Sequence, residues 1–127
     1  VAIWLISRNH AVLVGPAVPE HVQARVRAIL QKRDSVEEVV EMKSTVLDNR
    51  TYDIMANIEF NGEHLAERLK PGLKTAWEGI ESYEDFEAFA RQFADDVVEA
   101  LGDEIDSLES EIRESVPEAK YVDLETN

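Results

Sequence analysis

Between residues 86 and 112 apolar side chains recur every third or fourth position: Phe86, Phe89, Phe93, Val97, Leu101, Ile105, Leu108 and Ile112. That interval matches the turn of an α-helix, so the eight residues line one side of it. The other side carries Asp95, Asp96, Glu99, Asp103, Glu104, Asp106, Glu109, Glu111 and Glu114. Ser82 suits the N-cap, because its hydroxyl accepts from a free amide near Asp85. Gly102 interrupts the run and weakens it by up to about 1 kcal/mol relative to alanine. Pro117 ends it. Residues 119–126 (Ala-Lys-Tyr-Val-Asp-Leu-Glu-Thr) then alternate as a strand does. A long acidic helix running straight into an acidic strand points to a small α+β domain with a surface suited to cations.

The earlier chain supplies the rest of such a domain. Residues 11–14 (Ala-Val-Leu-Val) fit a short strand, broken by Gly15-Pro16. Pro19-Glu20 opens a helix, since proline suits a first turn and an acid there complements the helix dipole. Its inward stripe is Val22, Val26, Ile29 and Leu30, while Arg25, Arg27, Gln31, Lys32 and Arg33 face out. Two strands follow. In the first, Val40, Met42, Ser44 and Val46 alternate with Glu41, Lys43 and Thr45. In the second, Tyr52, Ile54, Ala56, Ile58 and Phe60 alternate with Asp53, Met55, Asn57 and Glu59. Asp48-Asn49-Arg50 between them is turn chemistry, so the pair reads as an antiparallel hairpin. Residues 63–70 fit a short helix stopped by Pro71-Gly72. Residues 73–83 have no clear assignment, although Trp77 and Ile80 point to packing. The order helix, strand, strand, helix, strand is a split α/β pattern of the ferredoxin-like type.

Charge narrows the partners. The chain of 127 residues fits one domain and carries 13 basic and 27 acidic residues, a net charge of -14. Phosphates and anionic membrane surfaces are repelled by such a surface. A cation or a basic partner is favoured, and solubility alone is the bland alternative. No cysteine is present, which excludes disulfides, thiolate zinc sites and cysteine nucleophiles. The six apolar residues Val1 to Ile6 are too few to cross a bilayer, and no basic segment precedes them as in a signal peptide. They read either as a first element or as the cut end of a longer protein.

In a two-layer fold the helices cover one sheet face and leave the other open. Alternation assigns Glu41, Lys43, Asp53, Met55, Asn57, Glu59, Tyr121, Asp123 and Glu125 to the open face. Five of the nine are carboxylates. Like charges facing the same way on adjacent strands repel, and a divalent cation, a basic partner or a proton relieves the repulsion. A solvated polar face is the competing reading. His10, His21 and His64 form no ligand pair in sequence, so an imidazole site requires assembly in three dimensions. There is no phosphate loop, no G-x-S-x-G and no H-E-x-x-H, so the chain does not read as an enzyme.

Several segments resemble one family. Residues 8–17 (Arg-Asn-His-Ala-Val-Leu-Val-Gly-Pro-Ala), with Pro19-Glu20 and a helix behind them, are similar to the join between the last membrane helix and the cytosolic domain of cation diffusion facilitators. Residues 34–39 (Asp-Ser-Val-Glu-Glu-Val) resemble the family's passage from helix to strand. Residues 116–125 (Val-Pro-Glu-Ala-Lys-Tyr-Val-Asp-Leu-Glu) resemble its final strand. The long helix, with residues 101–109 (Leu-Gly-Asp-Glu-Ile-Asp-Ser-Leu-Glu), is most similar to an atypical branch that contains a mammalian mitochondrial zinc transporter. The resemblance spans most of residues 8–126.

It implies a metallochaperone-like ferredoxin fold at residues 11–127, serving as the cytosolic regulatory and dimerisation domain of a divalent-cation exporter. The metal is expected to be zinc. Residues 1–10 become a linker or the remnant of the last membrane helix. The partners implied are a second copy and the transmembrane domain of the same transporter, on the cytoplasmic side of the cell inner membrane, with no nucleic acid and no membrane insertion by this fragment. In typical members the last strand offers a histidine and, two residues on, an acid. Here those positions are Asp123 and Glu125, and Glu41 falls near a further ligand of the first strand. The expected metal residues are therefore Glu41, Asp123 and Glu125, with His21 or His64 as an alternative location. Two other readings are an acidic protein-interaction module without metal dependence and a small-molecule sensor of ferredoxin-like shape.

Overall fold

The long helix is the spine of the molecule. The computed structural model describes residues 17–127; the expected linker at residues 1–10, the strand at 11–14, His10 and the Gly15-Pro16 break lie outside them. In chain order the elements are α1 (Glu20–Gln31), β1 (Val36–Val46), a 3-10 turn (Asp48–Arg50), β2 (Tyr52–Phe60), α2 (Gly62–Glu67), α3 (Lys70–Glu78), α4 (Tyr83–Ser115) and β3 (Ala119–Thr126).

The sheet has the order β1-β2-β3. β1 and β2 form the expected antiparallel hairpin. Its turn places Arg50 at φ 76°, in the left-handed region. β3 runs parallel to β2, which the long α4 crossover permits. Alternation along β2 and β3 sends Ile54, Ala56, Ile58, Val122 and Leu124 to one face, where they pack on Val26 and Leu30 of α1 and Leu108 and Ile112 of α4. Both helices thus cover one face, as a ferredoxin-like α-β-β-α-β arrangement requires, with α4 extended beyond it. No helix of the described residues is long and apolar enough to cross a membrane.

Local structure departs from the sequence expectations in four places. β1 starts at Val36 and is irregular between Val36 and Glu38 and between Val39 and Glu41. The second irregularity turns Val39 inward, 8% exposed, and leaves Val40 outward, 46% exposed, so the inward assignment of Val40 is corrected. Pro71 does not stop a helix. It lies in the first turn of α3, where its missing N–H costs nothing. Trp77 does not pack; it is 74% exposed. Finally, the buried row of α4 is Ala100, Glu104, Leu108 and Ile112, whereas Phe86, expected inside, is 52% exposed.

The start of α4 is closed as expected. Ser82 Oγ accepts from the Asp85 amide at 3.2 Å, and the Asp85 carboxylate accepts from the Ser82 amide at 3.1 Å. The Glu81 amide first, then the Ser82 side chain and lastly the Ser82 amide, stabilise the ionised Asp85 and hold its carboxyl below the ordinary carboxylate range. At the other end, α4 side chains close the edge of β3 that has no strand beside it among the described residues. Glu109 accepts from the Leu124 amide at 3.3 Å, Arg113 donates to the Val122 carbonyl at 3.3 Å, and the two side chains pair at 2.9 Å.

Candidate functional site on the open sheet face

The face opposite the helices carries the side chains that the alternation assigned to it. Register arranges them in rows. Glu41 lies beside Asn57, and Asn57 beside Glu125. One step along, Lys43 lies beside Met55, and Met55 beside Asp123. Thr45, Asp53 and Tyr121 make the next row. Glu41 is already engaged: Lys43 Nζ stands 3.1 Å from one oxygen, and Asn57 Nδ2 donates to the other at 3.5 Å.

Two hollows divide the acids. Glu41, Lys43, Met55, Asn57 and Glu125 line one of about 130 Å³. Asp123 lines another, with Asp53, Lys120 and Tyr121. Glu41 and Glu125 sit on the two outer strands, so their backbones are separated by two strand spacings, roughly 10 Å. An ion held directly by both therefore needs both side chains turned inward over Asn57. Among the described residues no three histidine, aspartate or glutamate side chains gather as a metal site.

The histidines lie elsewhere. His21 is exposed on α1, in the helical layer on the far side of the sheet from Glu41. His64 is in the first turn of α2, where its amide is capped by Asn61 at 3.0 Å, and it shares a small hollow with Glu63 and Glu67. The open face thus offers hard oxygen donors without imidazole. Such a set suits a weak, oxygen-only site better than a tight zinc centre.

A second polar cluster was not expected from the sequence. Glu104, assigned to the outer acidic side of the helix, is 1% exposed. Ser35 Oγ donates to its Oε1 at 2.5 Å, Arg33 reaches the same oxygen at 3.5 Å, and Arg68 pairs with Oε2. Arg33 also holds Ser107 at 3.1 Å and Glu111 at 2.9 Å. Burial opposes ionisation of Glu104, but the hydrogen bonds from Ser35 and Arg68 and the charges of Arg68 and Arg33 outweigh it and hold the carboxyl below its ordinary range. A carboxylate so fully partnered ties the end of α1, the β1 entry, α2 and α4 together and has no oxygen left for a ligand. The available signal was its spacing: Ala100, Glu104, Leu108 and Ile112 recur every fourth residue.

No protein-family model matches the chain, and no solved structure does. The chain is 32% identical over 135 aligned residues to metal tolerance protein C4 of Arabidopsis thaliana, covering 100% of this chain and 30% of that protein. It is 29% identical to the mitochondrial proton-coupled zinc antiporter SLC30A9 of Mus musculus and 28% identical to that of Homo sapiens, each over 98% of this chain and 23% of the antiporter. The chain therefore spans less than a third of the length of these curated relatives. Over its whole length, this chain is a homologue of cation diffusion facilitator proteins.

Proposed function

We propose that this domain is the cytosolic regulatory and dimerisation unit of a divalent-cation transporter, with zinc the expected cargo and no enzymatic role. The observation that carries the reading is the whole-length relationship to a metal tolerance protein and to proton-coupled zinc antiporters. The open sheet face supports it, because the helices leave that face free for a second copy and it bears Glu41, Asp123 and Glu125. Two copies, each at -14, repel one another. Cations held by these carboxylates lower that repulsion and shift a weak monomer–dimer equilibrium toward the dimer. The transmembrane part of the transporter would read the change on its cytosolic side.

The test is a zinc titration by calorimetry, followed by sedimentation of the same samples. Zinc is expected to bind weakly and to raise the sedimentation coefficient, and a triple variant Glu41→Ala, Asp123→Ala, Glu125→Ala is expected to lose both responses. Unchanged binding in the triple variant, together with its loss in His21→Ala or His64→Ala, would move the site to the histidines. No change in sedimentation up to near-millimolar zinc would remove the dimerisation role.

A further inference from the structure

Only part of α4 has a sheet beneath it. At about 1.5 Å per residue the 33 residues span about 50 Å, whereas the eight of β3 span about 26 Å. The buried residues of α4 all lie at or beyond Ala100, α3 has none, and α2 buries Leu65. Residues 69–99 therefore form an arm that projects past the sheet. The apolar stripe of α4 nevertheless continues onto it. Between α3 and α4 it lines a groove of about 410 Å³, walled by Leu73, Ala76, Phe89 and Phe93 and bordered by Arg68, Gln92 and Asp96. Trp77, Tyr83 and Phe86 are exposed nearby on the same two helices.

The charge around this groove is predominantly negative, although Arg68 stands at its border. Residues 62–99 carry ten carboxylates and four cations. Three of the cations are already in ion pairs: Arg68 with Glu104, Lys70 with Glu67 at 3.2 Å, and Arg91 with Glu87. Most of the carboxylates, Asp95, Asp96 and Glu99 among them, have no cation partner among the described residues. An apolar channel between helices, bordered by uncompensated negative charge, complements an amphipathic helix whose polar side is lysine or arginine. The same charge disfavours an anionic lipid surface and a second acidic arm.

We propose that the groove between α3 and the projecting half of α4 is a docking site for a basic amphipathic helix of another protein. Aromatic side chains provide the apolar anchors, as they do at the centres of other interfaces. The Glu104–Arg68 pair fixes the arm relative to the sheet and keeps the groove in one orientation. The site is separate from the carboxylates of the open face, so it is independent of the metal reading above.

The probe is a fluorescein-labelled leucine–lysine helix of roughly 18 residues, with a leucine–glutamate helix as its counterpart, titrated with the whole chain and followed by anisotropy. Saturable binding of the lysine helix that weakens with salt, and no binding of the glutamate helix, is expected. Phe89→Ser and Leu73→Ser should each weaken it about tenfold, and Asp95→Asn with Asp96→Asn should weaken it severalfold and flatten the salt dependence. Trp77→Ser, at a largely exposed position, serves as the variant whose folding is not at risk, and it should weaken binding by a smaller factor. Equal binding by the parent, Phe89→Ser and Trp77→Ser would reduce the effect to charge alone and overturn the proposal. Binding of the glutamate helix, co-sedimentation with anionic phosphatidylglycerol vesicles, or self-association abolished by Phe89→Ser would also overturn it.

Discussion

The two halves of α4 follow one sequence rule and meet different fates. Beyond Ala100 the apolar row is pressed against β2 and β3, and Leu108 and Ile112 are fully buried. Before Ala100 the same periodicity continues through Phe93, Phe89 and Phe86, but among the described residues the sheet is absent there and the short α2 and α3 are the neighbours. Periodicity alone therefore reports which side of a helix is apolar and not what covers it. Stability is expected to concentrate in the covered half and recognition in the uncovered one, because exposed apolar stripes on a soluble surface mark interaction sites.

The largest expected effect lies at the boundary between the halves. Glu104→Ala leaves Arg33, Arg68 and Ser35 without their shared acceptor and should cost about 3–5 kcal/mol in urea unfolding. Because the folded state lowers this carboxyl below the ordinary glutamate range, the stability it contributes is present above that range and is lost as pH falls through the folded value. The gap between parent and Glu104→Gln should accordingly narrow on acidification. A constant gap would assign Glu104 a packing role only.

A pair of truncations tests the comparison directly. Leu108→Ala should cost about 2–5 kcal/mol, as expected for a buried leucine that leaves a cavity. Phe86→Ala, at an exposed position of the same stripe, should cost less than about 1 kcal/mol. Similar losses would mean that the arm is as well covered as the sheet-packed half. The smallest effect is a gain: a Cβ at Gly102 meets open space, so Gly102→Ala should stabilise the helix by up to about 1 kcal/mol, seen as a higher Tm. A loss there would point to a helix that needs to flex where its two halves join.

Much of the fold was legible because its signals are local. The β2 alternation, the Ser82 cap and the strand after Pro117 each depend on residues within one element, and the structure holds all three. The open-face assignment of Glu41, Asn57 and Glu125 also followed from alternation, while their lying in one row needed the strand order and register. What was missed depends on distant partners or on small irregularities. Glu104 resembles every other acid of α4 until Ser35 and Arg68 come near it from positions 69 and 36 residues away. Val39 and Val40 exchange faces through a single extra residue in β1. Pro71 can end one helix or begin the next, and only the turn at Leu69 decides between them. The relative placement of His21, His64 and the open-face acids likewise depended on which layer each element joined.

The clasp of Glu109 and Arg113 over Val122 and Leu124 has a consequence for assembly. A visiting strand would find those two backbone groups already taken, and it would have to displace a charged pair to add itself to the sheet. The opposite border, β1, is kinked twice and studded with glutamates, a poor template for zippering. Growth by backbone ladders, which is cooperative and hard to reverse, is thereby discouraged on both sides. Under the dimer proposed above, two copies would meet through side chains across broad surfaces, where ions, salt and pH can regulate the encounter.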